Sequence, residues 1–182
     1  MWMGDPDGDI TLEFEGWAWK VKADILGAHF PWMNSAFPNS VPGSHVVCAG
    51  ISGGIEPETF VALLEFLHTN EFRGHTWESE PSFLTYVEAY FAAESLCIET
   101  LRTAMVERVE NLSRTEEKHL QSFVDAIVSV ETHKWSPKIQ KAMYDAGERM
   151  KDRLVGLLAF RELTEDYPAG KGFAQAIGLE RL

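Results

Sequence analysis

Long apolar runs are missing from this sequence: no stretch approaches the ~18 residues that a bilayer-spanning helix needs, which excludes a transmembrane helix. Its first residues, Met1-Trp2-Met3-Gly4-Asp5-Pro6-Asp7, carry neither a basic start nor a hydrophobic segment, so no secretory signal is expected. Cysteine is scarce, with two in 182 residues, Cys48 and Cys97. Both lie in apolar surroundings without metal or redox spacing, so buried thiols in a reducing compartment are expected. The expected location is therefore intracellular, in cytoplasm, nucleus or both, and the Asn111-Leu112-Ser113 sequon carries no meaning there.

Positive charge is also in short supply. Residues 1–112 hold 17 acidic and 5 basic side chains, a net −12, whereas residues 113–182 hold 11 of each. An acidic first part repels phosphate backbones, and no basic cluster reverses this locally, so direct nucleic-acid binding is disfavoured. The surplus carboxylates serve solubility.

Catalytic constellations are lacking too. The six histidines, His29, His45, His68, His75, His119 and His133, never adopt His-x-x-x-His or His-Glu-x-x-His spacing and read as surface or satisfied core imidazoles. Cys97, between Leu96 and Ile98, is expected inside an apolar helix, where burial blunts reactivity. Ser52-Gly53-Gly54 lacks the lysine of a phosphate loop, and Glu116-Glu117 and Glu165-Asp166 fall on solvated faces. Nothing assembles a base, a nucleophile and an oxyanion site, so neither an enzyme nor a cofactor or metal site is expected. A small hydrolase or transferase on an unfamiliar fold is the competing class.

What is present is a strong secondary-structure pattern. Residues 1–8 form a polar leader. Ile10, Leu12 and Phe14 alternate with polar residues, Glu15-Gly16 turns, and Trp17 to Lys22 alternates again, which predicts a β-hairpin. Ala23 to Phe37 reads as helical with an interruption at Pro31, Pro38 to Ser44 as a loop, and His45 to Ala49 as a short third strand. Glu56 to Phe72 organises the rest: Phe60, Leu63, Leu64 and Leu67 recur at i, i+3, i+4 and i+7. Pro57 suits the first helical position and Asn70 a left-handed C-cap, so this is the expected central core helix.

After the polar loop Arg73–Pro81, Leu101, Met105, Val109 and Leu112 continue an apolar stripe, and Glu116 to Val130 forms an amphipathic helix. Ser136 is placed to cap a further helix from Pro137 to about Leu158, burying Ile139, Met143, Met150, Leu154 and Leu157. Tyr167-Pro168 is expected to end the last helical stretch, leaving Lys171 to Leu182 as a tail.

Three of these segments, in order, carry a resemblance. The run DITLEFEGWAWKVKADIL, continuing through Pro31-Trp32-Met33 to Phe37, resembles the start of a BTB/POZ domain, matching at Asp9, Gly16, Trp19, Val21, Leu26, Pro31, Trp32 and Phe37. Pro57–Phe72 is similar to the family's Pro-Glu-x-Phe helix, with His68-Thr69-Asn70 where Tyr-Thr-Gly is usual. Ala89 to Leu101 is similar to its following helix pair.

The resemblance implies an α+β, elongin C-like BTB/POZ fold: a small mixed sheet flanked by helical hairpins over residues 9–112, followed by an all-α extension, 113–182. That layout resembles filamentous-fungal BTB proteins. It further implies a non-enzymatic protein–protein interaction module, with the chain itself or a cullin as partner; charge and the lack of a long apolar run already argue against nucleic acid and membrane as partners. The alternative is a substrate-adaptor subunit of a cullin–RING ubiquitin ligase. Two departures bear on this. Only eight residues precede Asp9, which implies the family's short form without the strand-exchanging N-terminal helix. Val41-Pro42-Gly43 stands where many adaptors have a hydrophobic-x-Glu motif, so the glutamate is replaced by Gly43.

Six tryptophans supply the candidate contact residues. Trp17, Trp32, Trp77 and Trp135 lie at element ends or in loops, where tryptophan either covers a core edge or anchors an interface at little rotamer cost. Phe37, Trp32 and the loop holding Val41 are the positions a cullin would use by resemblance. Trp17 and Trp19 share one face of the hairpin, which is expected to lie buried under helices.

Overall fold

The structure, a computed structural model, describes residues 3–30, 43–47, 55, 57–72, 82–112, 117–133 and 136–179. Among them are three strands, β1 (Ile10–Phe14), β2 (Trp17–Val21) and β3 (His45–Val47). Eight helices accompany them: α1 (Ala23–His29), α2 (Pro57–Thr69), α3 (Phe83–Ser95), α4 (Glu99–Asn111), α5 (Glu117–Thr132), α6 (Pro137–Val155), α7 (Leu158–Asp166) and α8 (Pro168–Ala176). The fold is mixed α+β and mostly helical. It divides into two compact units, one of residues 1–81 with 91–102, the other of residues 82–90 with 103–182.

In the first unit the hairpin forms where alternation predicts it. Glu15 and Gly16 both take positive φ, 49° and 80°, the conformation a two-residue turn needs to match strand twist. Ile10 pairs with Val21, Leu12 with Trp19 and Phe14 with Trp17, so the apolar positions share one face. β3 joins the other side of β1 in parallel, giving the order β2-β1-β3. Residues 4–9 run along the outer edge of β2: the Asp5 N–H donates to the Lys20 carbonyl at 2.8 Å and the Asp9 N–H to that of Val21 at 3.1 Å.

α2 supplies the centre of this core, with Phe60, Leu63 and Leu64 buried, and Asn70 leaves the helix left-handed at φ 58° as expected. The Phe60 ring meets Phe14 at 4.5 Å and Trp19 at 6.1 Å, which packs α2 onto the sheet's apolar face. Side chains distant in sequence serve the start of α1. Asp9 Oδ1 accepts from the Ala23 N–H at 2.8 Å, and His68 Nε2 accepts from the Lys22 N–H at 3.2 Å. Since the Leu64 carbonyl can only accept, His68 Nδ1 carries the ring proton and donates to it at 2.8 Å.

The turn between α3 and α4 departs from expectation. Cys97 is not in a helix: it occupies the turn at φ 59° and is exposed, because Leu96 and Ile98 on either side take the buried positions. Cys48 lies outside the described residues, as do the expected continuation of α1 beyond Phe30 and of β3 beyond Val47.

The second unit is helical. Phe83 packs edge-on against Phe123 at 4.8 Å, Phe123 against Phe173 at 5.7 Å, and Tyr144 tilts onto Phe173 at 5.3 Å, an aromatic chain linking α3, α5, α6 and α8. Ser136 and Pro137 begin α6 where expected, but the serine side chain makes no capping bond. α6 stops at Val155 rather than near Leu158: Gly156 closes it, and Leu157 is the half-buried N-cap of α7. Pro168 does not end the last helix. It opens α8 at the first position, where its missing N–H costs nothing, and the expected tail is largely helix.

Glycine permits the close approach of α7 and α8, since a Cβ on Gly170 would drive into the Leu163 carbonyl. Two cations of α6 reach the C-terminal ends of other helices. Arg149 donates to the Glu110 carbonyl at 2.7 Å, and Lys151 to that of Gly178 at 3.0 Å. No helix among the described residues is long and apolar enough to cross a membrane.

Candidate interaction surface

The sheet has two unlike faces. Ile10, Leu12, Phe14, Trp19, Val21 and Val46 are buried on one, while Ala18, Lys20, His45 and Val47 are exposed on the other. Glu13 sits on the open face and holds His45 Nε2 at 2.8 Å.

Register assigns Trp17 to the buried face, opposite Phe14. It nevertheless remains 46% exposed, against 4% for Trp19. This corrects the expectation that helices bury both rings. Phe60 covers Phe14 and Trp19, whereas Trp17 opens β2 beside the turn and lies parallel to Trp19, ring planes 5° apart and centroids 6.4 Å apart. The result is a short aromatic ladder, Phe60–Trp19–Trp17, whose last ring faces solvent. Glu15 in the adjoining turn is exposed and makes no ion pair among the described residues. Val47, at the same end of the sheet, is 54% exposed. Periodicity assigns these residues to faces but does not indicate which ring is left uncovered.

Of the other expected contact residues, Trp32, Phe37, Val41, Trp77 and Trp135 lie outside the described residues. Gly43 is described: it takes φ 89° and donates its N–H to the Asp9 carbonyl at 2.5 Å.

The polar clusters lean toward structural use. The upstream aspartates are engaged locally, with Asp5 Oδ1 accepting from the Asp7 N–H at 2.9 Å and Oδ2 near Lys22 Nζ at 3.4 Å. The Asp7 N–H, more than the lysine, lowers the Asp5 carboxyl below its usual range. In the second unit Glu131, 8% exposed, accepts from the Tyr144 hydroxyl at 2.8 Å and Gln140 Nε2 at 3.5 Å. Burial first, and then the bond to Glu131, pushes the Tyr144 phenol above its ordinary value. This pair carried no sequence signal, because its partners come from separate helices.

His29 meets the Thr100 hydroxyl at 3.1 Å, and His133 Nδ1 meets the Ser129 carbonyl at 2.7 Å, one turn back. Among the described residues no three histidine, cysteine or carboxylate side chains converge to hold a metal ion. No protein-family model matches the chain, and no curated protein matches it.

Proposed function

We propose that this chain is a non-enzymatic protein–protein association module of the BTB/POZ type, followed by a helical extension. The observation that carries the reading is element order: hairpin, short helix, parallel third strand, buried central helix and helix pair follow one another in the sequence positions that resemble the family. The solvent-facing end of the aromatic ladder supports a docking role, since tryptophan is enriched among the residues that anchor interfaces.

Light scattering across a dilution series, joined to capture of a tagged copy with its partners from cells, tests this. The expected result is either a mass above the 20.5 kDa of one chain that falls on dilution, or a monomer that retains a protein partner in fixed ratio. A monomer at every concentration that retains no partner overturns the reading. Retention of a cullin in the same capture would move the chain to the adaptor class despite Gly43.

A further inference from the structure

Resting on the association reading, we infer that Trp17 and Glu15 form a docking point for an arginine-bearing basic segment of a partner polypeptide. The Trp17 ring lies parallel to the Trp19 ring, centroids 6.4 Å apart, and nearly half of the residue is exposed. An indole face in this setting attracts a cation through its negative quadrupole. Glu15, two residues before it in the turn, offers a carboxylate with no competing cation among the described residues, whereas the neighbouring Glu13 is held by His45. The nearest basic residue on the strand, Lys20, lies on the opposite face, and Lys22 is taken up by Asp5.

Charge selects the occupant. The hairpin and the residues leading into it are acidic, with Asp5, Asp7, Asp9, Glu13 and Glu15 against Lys20 and Lys22 over residues 1–22. A second copy docking through this surface would set like charges against each other, and nucleic acid or an anionic membrane would be repelled. A basic polypeptide is attracted. Arginine fits better than lysine, because its planar guanidinium stacks on the indole and forks onto a carboxylate at once, while an ammonium is a hydrated point charge.

The probe is a short peptide with two adjacent arginines, compared with versions carrying lysine or citrulline, the uncharged planar analogue. The readout is the indole N–H resonance of Trp17, assigned by its loss in Trp17→Phe. Saturable displacement of that resonance by the arginine peptide is expected, about fivefold weaker with lysine and lost with citrulline. By titration calorimetry, which needs no Trp17 reporter, Trp17→Ala is expected to weaken binding about tenfold.

Glu15→Asn is expected to weaken it several-fold as well. This second variant separates binding from folding, because asparagine suits the left-handed turn position better than glutamate and leaves the hairpin at least as stable. An unmoved Trp17 resonance, or undiminished binding in either Trp17→Ala or Glu15→Asn, overturns the inference. Peptide binding by a chain that stays monomeric on dilution and captures no partner overturns only the association reading. A retained partner without peptide binding overturns only the arginine site.

Discussion

Where charged side chains bond backbone groups at helix ends, the two compact units do so at opposite ends, although the neutral hydroxyls of Ser82 and Ser122 also accept N–H groups at the start of α3 in the second. In the first, side-chain acceptors supply the N-terminal N–H groups of α1: Asp9 takes that of Ala23, and His68 the preceding Lys22 N–H. In the second, cations supply C-terminal carbonyls, Arg149 at the end of α4 and Lys151 just beyond α8. Each choice agrees with the helix dipole, which favours anions at its start and cations at its end. The uneven charge therefore has a structural component besides solubility: part of the acid in residues 1–112 and of the base in residues 113–182 is engaged at helix ends.

The strongest way to break the comparison is to remove what each unit cannot replace. Phe60 is the ring that Phe14 and Trp19 share in the first unit. Phe60→Ala is expected to cost about 4 kcal/mol in urea denaturation and to leave Trp19 as exposed to fluorescence quenching as Trp17. Gly170→Ala attacks the second unit through backbone rather than side chain, and its Cβ meets the Leu163 carbonyl. We expect a cost of about 2–3 kcal/mol by the same measurement, despite alanine's better helix propensity. A neutral or stabilising result would show that α7 and α8 separate freely.

These two positions also mark how far the sequence could be read. Phe60 was legible, because periods of 3.6 and 2 identify one apolar face on α2 and one on the hairpin, and the two must cover each other. The glycine was not, since nothing local distinguishes a residue required by close packing from one left in a loop. The same limit explains Pro168, where a breaker signal is ambiguous between closing one helix and opening another. Apolar neighbours suggest a continuous helix at Cys97, while a single left-handed residue turns the chain there and leaves the cysteine exposed. At the surface, alternation put Trp17 on the correct face, but coverage depends on where Phe60 ends, and that is a tertiary fact.

Tyr144 and Glu131 sharpen the comparison through pH. Tyr144→Phe leaves a nearly buried carboxylate with one donor fewer, a loss of about 1.5 kcal/mol near neutrality. The phenol's pKa is raised above its ordinary 10.0 in the folded protein, so the contribution is fully present below about pH 10. As pH rises beyond that, the unfolded chain gives up this proton while the folded protein keeps it, and stability falls. Wild type is therefore expected to lose more stability than Tyr144→Phe between pH 10 and the alkaline transition. Parallel pH curves for the two proteins would contradict the assignment.

The smallest expected effect tests the end-capping contrast directly. Asp9→Ala removes the acceptor for the Ala23 N–H and the negative charge beside the start of α1, worth about 1 kcal/mol together. Asp9→Asn keeps an acceptor oxygen and loses only the charge, so it should recover most of that loss. Arg149→Gln makes the reciprocal change, retaining a donor near the Glu110 carbonyl while removing a cation from the end of α4. If dipole complementarity governs both units, the charge-dependent remainder in each variant should shrink as salt is raised, because these groups are exposed and screened. A cost for Asp9→Asn equal to that for Asp9→Ala, or one indifferent to salt, would mean that packing around the hairpin edge, rather than charge at the helix end, holds Asp9 in place.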